Sequence, residues 1–325
     1  MAGTTLAHDP MHTILCSGGH LMYQRTLQSS VSCTGIGLHT GKPVTLTMRP
    51  AKPDTGIAFV RTDLDELPIR ATVGNVVDTS LATTLGHRGA RVATVEHVLA
   101  ALRGMGVDNA IVEMDAEEAP IMDGSAAPFV VLIRAAGIEV QRRRRRVLVV
   151  RRTVRVKDGD KVAELRPSGQ FRISYTIAFD HPAVASQSFD YIHSNATFEL
   201  DLSRARTYGF LREVEMLQKS GLARGGSLDN AVVVDDATIM NEEGLRYDDE
   251  FVRHKVLDAV GDLSLLGPAL RGHLITYKGG HALSHALLTE LLSDRANYVI
   301  AEEGDLAEVP AAAAPALRLV NSTAL

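Results

Sequence analysis

The sequence predicts an α+β fold made of two similar domains. Short segments with alternating apolar and β-branched residues recur along the chain, and both halves also contain segments with helical periodicity. A run of five arginines at 142–146 marks a change of composition between the halves. One helix in each half starts near a histidine, His97 or His254, and is followed by a glycine and a strand. Two such halves facing each other would bring these helices together.

The composition is that of a soluble globular protein. Of 325 residues, 45% are hydrophobic and 22% are charged, and this length suffices for two cores. No apolar run reaches the roughly 20 residues that a transmembrane helix needs. Cys16 and Cys33 are too few for a disulfide framework and indicate a reducing compartment. We therefore expect a cytoplasmic protein without a transmembrane segment, and we expect it to be a monomer.

The net charge of −5 argues against a nucleic-acid partner. The arginine run leaves two alternatives, a patch for nucleic acid or acidic lipid and a solvated linker or strand edge, and the acidic chain favours the second. Residues 1–23 lack the basic and apolar regions of a signal peptide, and we expect a disordered extension there. Alanine and proline predict a loose tail at 311–325. The two domains then cover residues 24–146 and 147–310.

In the first domain, periodicity and turn residues place the elements. Thr94 is the expected N-cap of the first helix, and Gly104 its C-terminal glycine. Residues 35–41 are glycine-rich, but they lack the spacing and the Lys-Ser/Thr ending of a phosphate loop, so we interpret them as a tight turn. The expected strands cover 24–48 on both sides of this turn, 56–60, 73–77 and 108–114, residues 78–89 form a hairpin or loop, and the helices cover 94–104 and 120–137.

In the second domain, strands again alternate with helices. Residues 211–222 have an amphipathic pattern, and Lys-Gly-Gly at 278–280 predicts a tight turn before a helix that begins at His281. The expected strands cover 148–156, 162–166, 171–179, 189–198, 231–234 and 274–277, and the helices cover 211–222, 249–266 and 281–293.

The helix at 249–266 carries the most informative spacing. His254, Asp258 and Asp262 recur every fourth residue, so one imidazole and two carboxylates share a helix face. An imidazole and a carboxylate one turn apart can chelate Zn²⁺, which binds N and O ligands at about 2.0–2.2 Å. For so short a pattern, a solvated helix face is the alternative. A catalytic zinc site also needs a third protein ligand from elsewhere.

His97 is the expected third ligand. Glu96 precedes it and is placed to act as a base toward a water whose pKa the metal lowers to about 7. Taken alone, Glu96-His97 is more typical of an ordinary polar helix start. With His254 and Asp258, however, these side chains are the group set of a zinc hydrolase. His281 and His285 are also four apart, but no carboxylate accompanies them, so we expect no second metal.

Five motifs carry a family resemblance. They are Thr94-Val-Glu-His-Val-Leu-Ala-Ala-Leu, Ile121-Met-Asp-Gly-Ser, Ser203-Arg-Ala-Arg-Thr-Tyr-Gly-Phe, Arg253-His-Lys-Val-Leu-Asp-Ala-Val-Gly-Asp and Lys278-Gly-Gly-His-Ala-Leu. In this order they closely resemble the bacterial UDP-3-O-acyl-N-acetylglucosamine deacetylases, the zinc amidases of lipid A synthesis. The resemblance covers residues 24–310. It implies two α+β domains, each a sheet with two helices, whose helix layers are sandwiched between the sheets.

The resemblance also implies roles for single residues. His97, His254 and Asp258 would bind Zn²⁺, Glu96 would be the general base and His281 the general acid. Thr207 would stabilise the oxyanion, and Asp262 would orient His281. Contacts with the acylated UDP-amino-sugar substrate would come from Lys161, Phe179, Phe210, Lys255 and Lys278. Residues 198–234 match the family's inserted unit, which forms the acyl-chain passage. Tyr208 stands where many members have phenylalanine, so its hydroxyl must find a partner or tolerate an apolar wall.

The reaction expected from the resemblance is hydrolysis of the N-acetyl group of UDP-3-O-(3-hydroxyacyl)-N-acetylglucosamine, the committed step of lipid A biosynthesis. Two alternatives stay open. One is a non-catalytic protein that uses zinc for stability and holds an acylated nucleotide sugar, and the other is a zinc hydrolase of another acetylated sugar. Glu96 disfavours the first, because a structural zinc site needs no spare base. The sequence leaves open the acyl-chain length and the choice between Zn²⁺ and Fe²⁺.

Overall fold

The computed structural model describes residues 22–64, 67–303 and 305. It has the mixed α+β architecture that the sequence predicts. The expected extension at 1–23 lies outside the described residues except for its last two, and the tail at 311–325 lies wholly outside them. Among the described helices, none combines the length and the apolar character needed to cross a membrane.

The first half contains ten strands and two helices among its described residues. Its main sheet is five-stranded, in the order β2-β3-β9-β4-β5, and β4 runs parallel to β9. The strands are β1 (Tyr23–Leu27), β2 (Val31–Ile36), β3 (Pro43–Pro50), β4 (Ile57–Arg61), β5 (Ile69–Arg70), β6 (Val76–Asp78), β7 (Thr84–His87), β8 (Ala90–Val92), β9 (Ala110–Met114) and β10 (Ile138–Arg144), and the helices are α1 (Glu96–Gly104) and α2 (Ala127–Ala136).

The second half is built on a seven-stranded sheet. Its path is β12-β13-β18-β11-β19, and β14 pairs with β18 and with β15. The strands are β11 (Arg146–Val150), β12 (Val154–Asp158), β13 (Lys161–Arg166), β14 (Phe171–Ala178), β15 (Ser186–Ile192), β16 (Tyr208–Phe210), β17 (Val232–Val234), β18 (Ala269–Tyr277) and β19 (Tyr298–Glu302), and the helices are α3 (Asn195–Thr197), α4 (Leu211–Lys219), α5 (Glu250–Leu263) and α6 (His281–Ser293).

A layer of helices lies between these two sheets. α5 packs on β14 and β15, α6 packs on β12 and β13, α2 packs on β2, and α1 contacts both α2 and α5. The burial pattern of β14 explains why helices pack on one face of its sheet. Every second residue is buried, namely Phe171, Ile173, Tyr175 and Ile177, and the residues between them are partly exposed. The pairing of α1 with α5 is the one expected from two facing halves, and it brings His97 close to His254.

The ends of α1 differ from the prediction. Thr94 is not the N-cap, because Val95 holds that position, and the Thr94 hydroxyl instead donates to the buried carboxylate of Glu118 at 3.1 Å. Gly104 lies inside the helix, where a side chain would overlap the ring of Phe198. The left-handed residue after the helix is Gly106, with φ +77°.

The second helix also begins later than predicted. α2 starts at Ala127 instead of residue 120, because the Asp123 carboxylate accepts hydrogen bonds from the backbone and hydroxyl of Ser125 and holds a turn there. The strand expected at 189–198 ends at Ile192, where the Ser194 hydroxyl caps α3. The helix expected at 211–222 ends at Lys219, and the stretch 148–156 is divided between β11 and β12.

The arginine run forms a charged strand edge, which is the alternative favoured from the sequence. It covers the end of β10 and the start of β11, and β10 pairs with β1 in a two-stranded sheet. Three of its members form ion pairs: Arg143 with Asp54 at 3.0 Å, Arg144 with Asp305 at 3.1 Å and Arg145 with Asp108 at 2.8 Å.

Candidate metal centre and active site

Two imidazoles and one carboxylate meet where α1 packs against α5. His97 comes from α1, His254 and Asp258 come from α5, and all three are buried. Asp258 Oδ1 lies 3.6 Å from His97 Nε2 and 3.4 Å from His254 Nε2. Ligands at the zinc bond lengths given above lie roughly 3.4 Å apart in a tetrahedral site. The separations therefore fit one cation, and the structure brings these three predicted ligands together.

The protonation states of the ligands also fit a cation. Asp258 Oδ1 is buried and has no hydrogen-bond partner among the described residues, as expected of an atom that faces a metal. Burial lowers the pKa of the His254 imidazole to about 3, so the ring is neutral and able to ligate. Burial alone would raise the pKa of Asp258, but His254 and Lys255 hold it well below its usual range.

Neighbouring groups fix the orientation of two ligands. His254 Nδ1 lies 3.1 Å from the carbonyl oxygen of Ala205, so this nitrogen donates to the backbone and Nε2 is left for a metal. Lys255 Nζ donates to Asp258 Oδ2 at 2.9 Å, which leaves Oδ1 facing the two imidazoles. The i, i+3 spacing on α5 makes this second contact possible.

Glu96 and His281 stand beside the cluster without belonging to it. Glu96 opens α1, His281 opens α6, and His281 Nε2 lies 3.7 Å from Glu96 Oε1 and 3.9 Å from Asp258 Oδ2. On the other side of the ring, Nδ1 lies 3.0 Å from Asp262 Oδ2. Asp262 therefore contacts His281, the residue that the family resemblance implies it orients.

For both His281 and Glu96, burial shifts the pKa in one direction and neighbouring charges shift it in the other. Burial lowers the pKa of His281, but the carboxylates of Asp262 and Glu96 outweigh it and raise the value to about 10. Burial raises the pKa of Glu96, and the charge of His281 opposes that effect. The site thus holds a protonated imidazole beside a carboxyl group that burial makes more basic, which are the two partners that acid–base chemistry requires.

Thr83 is a site residue that the sequence did not reveal. Its backbone N–H donates to Glu96 Oε2 at 3.0 Å, and its hydroxyl donates to Asp262 Oδ1 at 2.7 Å. It lies in the stretch 78–89, which the sequence predicts only as a hairpin or loop. No motif or spacing indicates Thr83, because it contacts residues of other elements that only the fold brings close to it.

Thr207 lies directly before β16, two residues after Ala205, whose carbonyl oxygen contacts His254. The preceding residue, Arg206, is fully buried and donates to the equally buried carboxylate of Glu250, the first residue of α5, at 2.9 Å. The backbone N–H of Thr207 donates to the Gly124 carbonyl at 2.8 Å. Thr207 also lines a cavity of about 400 Å³, to which α4 contributes Leu211, Val214 and Leu217.

The aromatic residues predicted to contact substrate form one cluster. The rings of Phe179 and Phe210 are 5.3 Å apart, and Tyr208 lies 6.2 Å from the rings of both Phe179 and His254. The Tyr208 hydroxyl is buried without a hydrogen-bond partner among the described residues, so it tolerates an apolar wall here. Lys255 Nζ lies 5.5 Å from the centre of the Tyr208 ring.

Two further predicted substrate residues are Lys161 and Lys278. They stand at the ends of the paired strands β13 and β18, where Lys278 Nζ donates to Asp160 at 2.6 Å and Lys161 lies 4.0 Å from Asp158. His285 Nε2 faces the carbonyl of Val73 at 3.3 Å instead of His281. Within the described ranges, the one metal-type cluster is the trio described above.

Two imidazoles and a carboxylate, with a spare buried carboxylate and a protonated imidazole beside them, define the class of metal-dependent hydrolases. Comparison with known proteins places the chain more narrowly. The model of the UDP-3-O-acyl N-acetylglycosamine deacetylase family matches residues 24–293. The chain belongs to this family.

Curated relatives are similar to this chain over most of its length. It is 57% identical to the UDP-3-O-acyl-N-acetylglucosamine deacetylase of Myxococcus xanthus (strain DK1622), over 85% of this chain and 88% of the relative. It is 54% identical to the protein of the same name from Anaeromyxobacter sp. (strain Fw109-5), over 91% and 97%. The protein of that name from Syntrophus aciditrophicus (strain SB) is 51% identical, over 86% and 90%.

Proposed function

We propose that this chain hydrolyses the N-acetyl group of UDP-3-O-(3-hydroxyacyl)-N-acetylglucosamine, giving acetate and the free amine, the committed step of lipid A biosynthesis. The family and the names of the relatives support this reaction. The observation that carries it is the buried trio of His97, His254 and Asp258 beside Glu96 and His281, because amide hydrolysis needs an electrophilic centre, a base and an acid in one place.

Zn²⁺ is the proposed metal, and His97, His254 and Asp258 are its proposed ligands. Two nitrogen ligands and one oxygen ligand are typical of catalytic zinc sites. When bound, the cation supplies Lewis-acid polarisation of the acetyl carbonyl and lowers the pKa of water. The pairing of Lys255 with Asp258, and of the Ala205 carbonyl with His254, keeps the ligand atoms directed inward.

The proton transfers are assigned to Glu96 and His281. Glu96 Oε1 faces the centre and takes the proton from the attacking water, so that the oxygen becomes nucleophilic. His281 carries a proton on Nε2, which also faces the centre, and gives it to the leaving amine nitrogen. Asp262 holds the opposite nitrogen of the ring. The hydroxyl of Thr207 donates to the oxygen on which negative charge develops.

Substrate recognition is assigned to the surroundings of the centre. The cations of Lys161, Lys255 and Lys278 suit the diphosphate, and the rings of Phe179 and Phe210 suit the nucleotide and sugar faces. The cavity of about 400 Å³ beside Thr207 would take the acyl chain, since α4 lines it with apolar side chains. We assign this passage to an insert at about 198–234 within a second domain of residues 147–310. A monomer in the cytoplasm is the setting that we propose.

Acetate release measured together with metal content tests this function. The zinc-loaded chain should release one acetate per UDP-3-O-acyl-N-acetylglucosamine consumed, and a chelator should stop the release. A variant with His97→Ala and His254→Ala should lose both metal and turnover. Full metal occupancy in that double variant would contradict the ligand assignment, and a loaded wild-type chain without acetate release would contradict the reaction.

A further inference from the structure

Thr83 contacts both halves of the proton-transfer machinery although no motif includes it. Its backbone N–H donates to Glu96 Oε2 at 3.0 Å, and its hydroxyl donates to Asp262 Oδ1 at 2.7 Å. The same hydroxyl oxygen lies 3.2 Å from His281 Nδ1. One residue from the loop before β7 therefore touches side chains of α1, α5 and α6.

These contacts select which atoms face the reaction centre. With Glu96 Oε2 bound to the Thr83 N–H, Oε1 is the oxygen left near His281 Nε2, at 3.7 Å. Because the Thr83 hydroxyl gives its hydrogen to Asp262, its oxygen can accept from the Nδ1–H of His281, which Asp262 also accepts. The ring is then gripped on its Nδ1 side, and Nε2 points to the centre.

The loop that carries Thr83 is itself fixed. Thr83 is 2% exposed, and its carbonyl accepts from the backbone N–H of Val95, directly before α1, at 3.3 Å. A hydroxyl buried in this way has no bulk water to replace its protein partners, so loss of these partners would leave it unsatisfied. The contacts are therefore built into the packing of the loop and do not depend on a mobile surface side chain.

We propose that Thr83 is a positioning residue. It holds Asp262 and the ring of His281 in a fixed orientation relative to Glu96, across the contact between the two halves of the chain. The inference rests on the deacetylase function proposed above. In this proposal, the buried hydroxyl of Thr83, in the first half of the chain, orients the proposed general acid His281, in the second half. Among the described residues, Thr83 forms no hydrogen bond with the proposed metal ligands, so it acts through Asp262 and His281.

Steady-state kinetics of matched variants test this role. Thr83→Val keeps the shape and the backbone N–H but removes the hydroxyl, and we expect kcat to fall by about 10–100-fold, as for other residues that orient active-site groups. KM and metal content should stay near the wild-type values, because substrate and metal contacts are intact. Thr83→Ser restores the hydroxyl and should recover most of kcat. Thr84→Val, which removes the hydroxyl of the next residue without such contacts among the described residues, should behave like wild type.

A double variant separates positioning from a general loss of packing. If the hydroxyl acts through Asp262, adding Thr83→Val to Asp262→Asn should cost much less in kcat than Thr83→Val costs alone. Any one of three results would overturn the proposal. The effects of Thr83→Val and Asp262→Asn could be fully additive, or kcat of Thr83→Val could stay within about twofold of wild type. The third is a kcat of Thr83→Ser no higher than that of Thr83→Val.

A spectroscopic measurement tests the positioning role of Thr83 independently of the deacetylation reaction. In the zinc-loaded full chain, the ring Nδ1–H of His281 should give a protected downfield proton resonance, which His281→Gln removes and thereby assigns. Thr83→Val should shift this resonance and speed its exchange with water, whereas Thr83→Ser and Thr84→Val should leave it in place. This result in a chain that releases no acetate would refute the deacetylation and keep the positioning role. An unmoved resonance in Thr83→Val refutes the positioning role, whatever the activity.

Discussion

His281 keeps its proton because carboxylates face its ring from both sides. Burial works against the charged imidazole, and the negative charges of Asp262 and Glu96 overcome that penalty, so the pKa rises to about 10. A general acid must be protonated to act, so activity should be lost as the pH rises through the pKa of His281. The residue that contributes most to keeping the proton is Asp262, at 3.0 Å.

Asp262→Asn should therefore move the basic limb of the pH profile. The substitution removes a negative charge that stabilises the imidazolium, so the pKa of His281 falls, and the limb of kcat/KM shifts to lower pH. The measurement is kcat/KM against pH for the loaded wild type and the variant. Asp229→Asn, at an exposed aspartate before β17, serves as the control and should leave the limb in place. A basic limb that stays unchanged in Asp262→Asn would assign the acid to another group.

Local spacing predicts some of these residues and not others. The clustering of the three proposed ligands could be predicted because two of them are one helical turn apart on α5, and the third begins a helix next to a spare carboxylate. Thr83 could not, because its partners Glu96, Asp262 and His281 are 13, 179 and 198 residues away. A polar loop residue with only distant partners has no periodic or spacing signal.

At the scale of elements, a glycine determines how closely α1 and α5 approach. A side-chain carbon at Gly261 of α5 would overlap the carbonyl oxygen of Glu96 and lie 2.9 Å from its carbonyl carbon. These are backbone atoms at the start of α1, which cannot move without moving the helix. The absence of a side chain at Gly261 therefore lets the two helices place Glu96 and His97 against His254.

Gly261→Ala should destabilise the protein although alanine is the better helix former. The intrinsic gain is about 1 kcal/mol, whereas overpacking a close contact costs about 1–3 kcal/mol, and here the displaced atoms are backbone. We expect a lower free energy of unfolding in urea and a lower kcat, because Glu96 moves with α1. Gly74→Ala is the matched control, since a side-chain carbon there meets no atom within 4 Å. A Gly261→Ala variant as stable as Gly74→Ala would contradict this account of the helix contact.

The order and type of the elements were easier to predict than their ends. Strong periodicity placed α1, α5 and α6 close to where they lie. The start of α2 was wrong because of the local turn that Asp123 holds with Ser125, and the ends of α1 were wrong because tertiary partners compete with local capping. Thr94 bonds to Glu118 instead of capping its helix, and the ring of Phe198 occupies the space that Gly104 leaves. Such competition involves residues that local sequence rules do not consider.

At the scale of the whole molecule, the proposed metal site joins the two halves of the chain. One ligand, His97, belongs to the first half, and two, His254 and Asp258, belong to the second. The sequence indicated two facing halves through the similar histidine-bearing helices, and the contact of α1 with α5 confirms that they meet. The order of strands in the two sheets was not predicted, because β18 pairs with strands that are distant in sequence.

Metal binding should therefore stabilise the folded chain as a whole. A cation that binds the assembled trio and not the unfolded chain adds about 2.7 kcal/mol at a free concentration of 100 times its Kd. For a chain of 325 residues, each kcal/mol raises Tm by about 1.5 °C. The measurement is Tm of the chelator-treated chain with and without added Zn²⁺. His254→Ala should lose most of the rise. His285→Ala, on α6 and bonded to a backbone carbonyl, should keep it in full. An equal rise in His254→Ala and wild type would mean that the stabilising metal binds elsewhere, and loss of the rise in His285→Ala would implicate the second histidine pair.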